Sequence, residues 1–185
     1  MVTRRYLVTG CSGGGKSSLI DLLAAWGFAT IPEAGRLIVR EQIAIGGSAV
    51  PWFDVDSFVE RLSTASIESF DGANRLNQTV FFDRGFIEPL AYWRSRDSQA
   101  FLALNGEIGG RRYCDPVFVA PPWPELFVSD NERQHDFSEA AAEYDSICET
   151  LNYLRYRQIE IPKLSVESRA EFILTQLDIA QKSVQ

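Results

Sequence analysis

The chain has 185 residues, 45% of them hydrophobic and 23% charged, which suits one globular domain with a sizeable core. Its 18 basic and 25 acidic side chains leave a net charge of −7, which argues against a large nucleic-acid footprint, since that needs a basic stripe. No apolar run is long enough to span a bilayer, and Met1-Val2-Thr3-Arg4-Arg5 leads straight into a strand pattern, so a cytoplasmic protein without a leader is expected.

Tyr6-Leu7-Val8-Thr9 is apolar and β-branched, the pattern of a buried strand, and predicts a first strand over 4–9. Leu19, Leu22, Leu23 and Trp26 follow at helical spacing and predict a helix over 16–26. A second short strand is expected over 27–31, closed by Pro32, then a helix over 33–45 that stops at Gly46-Gly47. A longer helix covers about 54–75, with Phe58, Leu62, Ala65 and Phe70 expected to point inward. Thr79-Val80-Phe81-Phe82 is apolar on consecutive positions, as in a strand buried on both faces. Helical sequence runs from about 86 to 110, and Val117-Phe118-Val119 predicts a fourth strand before Pro121-Pro122-Trp123-Pro124. A helix over 137–155, a strand over 157–162 and a helix over 166–179 complete the chain.

Strands alternating with helices predict an α/β fold, a parallel five-stranded sheet with helices on both faces. No repeat, low-complexity segment or linker divides the chain, so 1–185 is read as one domain, compatible with a monomer or a homodimer. Cys11, Cys114 and Cys148 form an odd, widely spaced set with no metal-ligand pair, which fits a reducing compartment. Cys11 reads as a small loop-filling residue, with an oxidation-sensitive thiol as the rival reading.

Between the first strand and helix lies "GCSGGGKSS", and Gly10 to Ser17 match the G-x-x-x-x-G-K-S pattern in full. Gly10, Gly13, Gly14 and Gly15 let backbone N–H groups curl around phosphate oxygens, with Ser12 and Ser18 flanking the loop. The helix N-terminus adds partial positive charge at the same place. Lys16 can reach the β- and γ-phosphates of ATP, and the Ser17 hydroxyl can ligate Mg²⁺. No guanine-recognition signature of the Asn-Lys-x-Asp type is present, which favours ATP.

Ligands of parallel α/β sheets sit beyond the C-terminal strand ends, so polar residues there take priority. Asp83, ending the third strand, is placed to hold Mg²⁺ with Ser17 or to deprotonate an acceptor hydroxyl. Arg84 can clamp a phosphoryl oxygen; the plain alternative for the pair is a helix cap with its neighbouring ion pair. Glu33 and Arg36, three apart after the second strand, can bind the second substrate, with Glu33 the alternative base to Asp83, or form only a surface pair. Residues 129–138 are polar and suit a lid that delivers Arg133 to the transferred group, whereas His135 reads as an exposed loop residue. Trp123 can stack on a ring or plug a packing gap, and Trp26, Trp52 and Trp93 read as core or groove lining.

Taken with "IPEAGRLIVREQ", "VPWFD", "FFDRGFIEPLAY", "VFVAPPWPELFVSDNERQHDF" and "SVESRAEFIL", these residues give the chain a likeness extending over nearly its whole length. It resembles a family of small bacterial AAA-domain proteins, a branch of the P-loop NTPases near the nucleoside and nucleotide kinases. The resemblance implies a three-layer P-loop fold with strand order 2-3-1-4-5, ATP and Mg²⁺ as ligands, and a lid before the penultimate helix. The loop departs from the family pattern in having "CSGG" for Pro-Gly-Ser and Ser17 for the more frequent Thr. The third strand ends in Asp-Arg rather than the Asp-Glu of a fast ATPase. A kinase acting on a small-molecule acceptor is therefore the first expectation. A triphosphate hydrolase and a nucleotide-dependent regulatory module are the alternatives.

Overall fold

The computed structural model describes residues 2–126 and 137–179. Strands β1 (Arg4–Gly10), β2 (Ala29–Ile31), β3 (Thr79–Asp83), β4 (Val117–Ala120) and β5 (Gln158–Glu160) form one parallel sheet in the order β2-β3-β1-β4-β5. Helices α1 (Lys16–Ala25), α2 (Ala34–Ile45), α3 (Val55–Gly72), α4 (Ile87–Arg96), α5 (Ser98–Ile108), α6 (Phe137–Tyr153) and α7 (Val166–Gln176) connect and flank the strands. The expected architecture and strand order are both present.

Consecutive apolar residues in β1 and β3 face opposite layers. Leu7, Val80 and Phe82 pack with Phe86, Leu90, Ile147 and Leu151, under α3 to α6. Tyr6, Val8 and Phe81 pack instead with Leu19, Leu23, Ala170 and Ile173 of α1 and α7. A central parallel strand must be apolar on both faces, which is why β3 reads as an unbroken hydrophobic run. Val8 is in register with Asp83 on one side and Phe118 on the other. The ends of β1, β3 and β4 therefore lie side by side, and the loop after β1 emerges between them.

Three local expectations are refined. The helical run over 86–110 is two helices, because Asp97 leaves the helical region (φ −143°, ψ 107°) and its carboxylate accepts from Gln99 and Ala100 N–H as the cap of α5. In α3 the fully buried stripe is Val59, Ser63, Ser66, Ile67 and Phe70, whereas Phe58, Leu62 and Ala65 are half-buried. Phe58 and Leu62 line a cavity rather than the core. Trp52 is 38% exposed, unlike Trp26 and Trp93, which pack against the two core layers.

Gly10 ends β1 at φ +116°, and a Cβ there would sit 2.2 Å from Ala120 O and 2.7 Å from Ala120 N. Both are backbone atoms of a buried strand, so neither can yield cheaply. Gly10→Ala is expected to cost about 3 kcal/mol or more. Thermal unfolding followed by circular dichroism should show the midpoint fall by about 6 °C or more.

Candidate active site

The loop between β1 and α1 brings its polar atoms inward. Gly15 adopts φ 70° at the start of α1, a left-handed turn that glycine makes without a Cβ penalty. Lys16 is buried, and its Nζ donates to Cys11 O at 2.6 Å and Gly10 O at 3.4 Å. Burial, and then the nearby Arg84 charge, push the Lys16 pKa down, opposed by Asp83 and Glu33. The cation is thus held on two carbonyls at the centre of the loop. Cys11 is buried within the same loop and burial pushes its thiol pKa up, which disfavours the reactive thiolate. Ser12, Gly13 and Gly14 are also buried, while Ser18 lies exposed on the first turn of α1.

Ser17 Oγ donates to Asp83 Oδ2 at 3.0 Å, bridging α1 to the end of β3. Asp83 is buried, and its Oδ1 has no hydrogen-bond partner. Burial raises the Asp83 pKa, with Lys16 pulling the other way. A buried carboxylate oxygen without a donor is costly, and a hydroxyl beside it completes an all-oxygen pair. This donor set fits a hard divalent cation such as Mg²⁺, which takes one or two protein oxygens and completes its shell with water and phosphate.

Arg84 has φ +64° and is almost fully buried at the centre of a carboxylate cluster. Its Nε lies 3.2 Å from Glu33 Oε1, and its Nη1 lies 2.7 Å from Glu143 Oε1 and 3.6 Å from Glu88 Oε1. Burial works against the guanidinium charge, but Glu143, Glu33 and Glu88 outweigh it and hold the Arg84 pKa above its ordinary value. Glu33 also accepts from Arg36 Nε at 3.2 Å. Glu88 accepts from Thr9 Oγ1, and from Gly85 N–H at 2.9 Å, and burial pushes its pKa up despite Arg84. Glu143 Oε2 accepts from the Ser12 N–H of the loop at 3.0 Å, so a carboxylate of α6 already occupies one loop donor. Burial raises the Glu143 pKa, but Arg84 and then Lys16 overcome this and leave it below the usual carboxylate value.

The structure therefore gathers Lys16, Ser17, Asp83, Arg84 and Glu33 in one place, with Arg36 joined through Glu33. Arg133 and His135 lie outside the described residues. Glu88 and Glu143 were not singled out from sequence, although Glu143 falls on the stripe of α6 shared by Ala140, Ile147 and Thr150. Arg169 was also missed. It is buried on α7, with Nη1 3.4 Å from Gly14 O and 3.2 Å from Gly15 O, and its guanidinium carbon lies 5.5 Å from the Trp123 ring centre. These bonds tie the loop backbone to α7. Arg169→Met should weaken nucleotide binding about tenfold in titration calorimetry, the scale of one charged hydrogen bond.

A cavity of about 640 Å³ opens beside the cluster, between α3, α4 and α6. Glu88 and Glu143 line it, but Glu33 and Arg36, the expected acceptor residues, are not among its lining. Its size lies within the range of small-molecule sites.

A family model described as an AAA domain matches residues 5–169. Among solved structures, a NadR protein in complex with NR is 14% identical at a TM-score of 0.72, covering 100% of this chain and 52% of that one. The chain thus spans about half the length of that NadR protein. Thymidylate kinase from Ehrlichia chaffeensis is 17% identical at a TM-score of 0.64, covering 96% and 100% of the two chains. Deoxyadenosine kinase from M. mycoides is 12% identical at 0.65, covering 94% and 98%. At these identities the likeness is one of fold, the three-layer architecture of P-loop kinases. No curated protein matches significantly in sequence. Among the described residues, no helix is long and apolar enough to cross a membrane.

Proposed function

We propose that this chain, which belongs to the AAA-domain family, transfers the γ-phosphoryl group of Mg-ATP to a hydroxyl of a small-molecule acceptor. One observation carries the reading. A loop holding Lys16 and Ser17 meets a strand-end carboxylate, Asp83, and beside them lies a ligand-sized cavity lined by Glu88 and by Glu143, which bonds the loop at Ser12 N–H.

In this reading the backbone N–H groups of Gly13 to Ser18 cradle the phosphates, with Gly10 and Ser12 shaping the approach. Lys16 exchanges its carbonyl partners for β- and γ-phosphate oxygens. Ser17 and Asp83 would hold Mg²⁺, which supplies charge neutralisation to the phosphates when bound. The acceptor oxygen attacks the γ-phosphorus and a new O–P bond forms. The bond to the β,γ-bridging oxygen breaks, and its electron pair leaves on ADP. The hydroxyl proton passes to a carboxylate. Glu88 is favoured for this because it lines the cavity, which Glu33 does not, and because burial raises its pKa.

Arg84 is a hub rather than a free clamp. It faces three carboxylates, so its contribution is to fix Glu88 and Glu143 where the cavity meets the loop. Arg36 steadies Glu33 from the other side. The test is ADP formation by purified protein in Mg-ATP across a panel of hydroxylated small molecules. ADP that depends on one acceptor supports the reading. Equal phosphate release with and without every acceptor overturns it.

A further inference from the structure

The cavity is apolar along its walls and acidic where it meets the loop. Phe58 and Leu62 of α3, Pro89 and Tyr92 of α4 and Ile147 of α6 supply flat and branched apolar surface. Glu88, Glu139 and Glu143 supply three carboxylates, against a single described cation in the lining, Arg96. Arg96 is turned onto the Tyr92 ring, its guanidinium carbon 4.1 Å from the ring centre. The other nearby cation, Arg84, is already matched by Glu33, Glu88 and Glu143. Tyr92 itself donates to Asp56 at 2.6 Å, adding a further acid close to the rim.

These charges bear directly on what the acceptor is. A phosphomonoester brings about two negative charges and several strong acceptor oxygens, and it is recognised by paired guanidinium or ammonium groups. Placed here, it would face carboxylates and lose its hydration, with Arg96, already turned onto Tyr92, as the one cation among the described lining residues. A hydroxyl has the opposite needs, because it donates readily to a carboxylate. A cationic ring gains further from the acidic end and from the aromatic wall.

Resting on the phosphoryl-transfer reading above, we propose that the acceptor is an uncharged or cationic molecule with a flat apolar body and a free hydroxyl, not one that is already phosphorylated. The hydroxyl end lies toward Glu88 and Glu143, beside the loop, and the flat body lies between Phe58 and Tyr92. The enzyme thus carries out the first phosphorylation of its substrate, and its product is a monophosphate. The acidic cavity mouth favours release of that product, because the charge that phosphorylation adds meets like charge.

Binding tests this without requiring turnover. Full-length protein saturated with a non-hydrolysable ATP analogue is titrated with thymidine, cytidine and a ribosylpyridinium, and separately with the 5′-monophosphate of each. At least one unphosphorylated probe should bind about tenfold or more tighter than its monophosphate. Ser95→Lys adds a cation at the exposed rim of the same cavity, where the native hydroxyl bonds only to its own helix. That variant should shrink the difference severalfold and leave affinity for the ATP analogue unchanged. Monophosphates binding as tightly as their parents, or no binding by any probe, overturns the proposal. Tight binding of an unphosphorylated probe that yields no ADP with ATP would overturn the transfer reading alone. ADP formed with the monophosphates, and not with their parents, would overturn this inference alone.

Discussion

Lys16→Ala is expected to lower phosphoryl transfer by about a hundred- to a thousandfold, the scale seen when one preorganised electrostatic partner of a transition state is removed. The fold should survive. In the free protein Lys16 bonds two loop carbonyls and acts on Asp83 and Glu143 only through space, and burial with the Arg84 charge outweighs those carboxylates and pushes its pKa down. Removing a buried cation so weakly matched offsets the loss of those hydrogen bonds. The melting midpoint should move by no more than about 3 °C, which corresponds to about 1 kcal/mol in a chain of this size. Coupled ADP formation and circular dichroism on the same preparation check both halves. Undiminished turnover would place the chemistry away from this loop.

Arg84→Gln should do the reverse and damage the fold as much as the activity. Glu33, Glu88 and Glu143 meet on one guanidinium whose side chain is only 9% exposed. Gln keeps much of the volume but leaves three carboxylates facing one another. Breaking a buried pair from one side costs about 3–5 kcal/mol, and Glu143, a third exposed, places the expectation near about 3. The pH dependence identifies the cause. Without Arg84 the folded-state carboxylate pKa values rise above those of the unfolded chain, so the penalty is full at neutral pH. As pH falls through those raised values the carboxyls protonate and the repulsion ends. The stability difference between wild type and variant should therefore narrow from pH 7 toward pH 5 in urea titrations. A difference that stays constant across that range would mean the loss is one of packing, not charge.

The phosphate loop is legible in sequence because its chemistry is contiguous: glycines, Lys16 and Ser17 must follow one another between a strand and a helix. Asp83 is legible for a related reason, as the first acid after a run buried on both faces. Glu143 and Arg169 are a different case, because their partners come from far along the chain. Glu88 meets Gly85 and Arg84 nearby and Thr9 across 79 residues. Glu143 meets Ser12 across 131 residues, and Arg169 meets Gly14 across 155. Glu143 and Arg169 do leave a trace, a charge set among buried apolar positions of a helix. Apolar periodicity in α3 identified a face turned from water but not what fills the space before it. Phe58 and Leu62 were expected to point inward, and the space they face is the cavity. The same limit moved the proposed acceptor site from Glu33 and Arg36 to the cavity on the other side of Arg84. Spacing put those two residues on one face, but only the fold shows that Glu33 bridges Arg36 and Arg84.

Following the label of γ-³²P-ATP tests the central claim most directly. Purified protein is incubated with Mg²⁺ and an uncharged hydroxylated acceptor, and the products are separated by thin-layer chromatography. The account predicts that label moves into an organic phosphate ester, only when acceptor is present and only with Lys16 intact. Label found entirely in inorganic phosphate, at the same rate with and without acceptor, would contradict it.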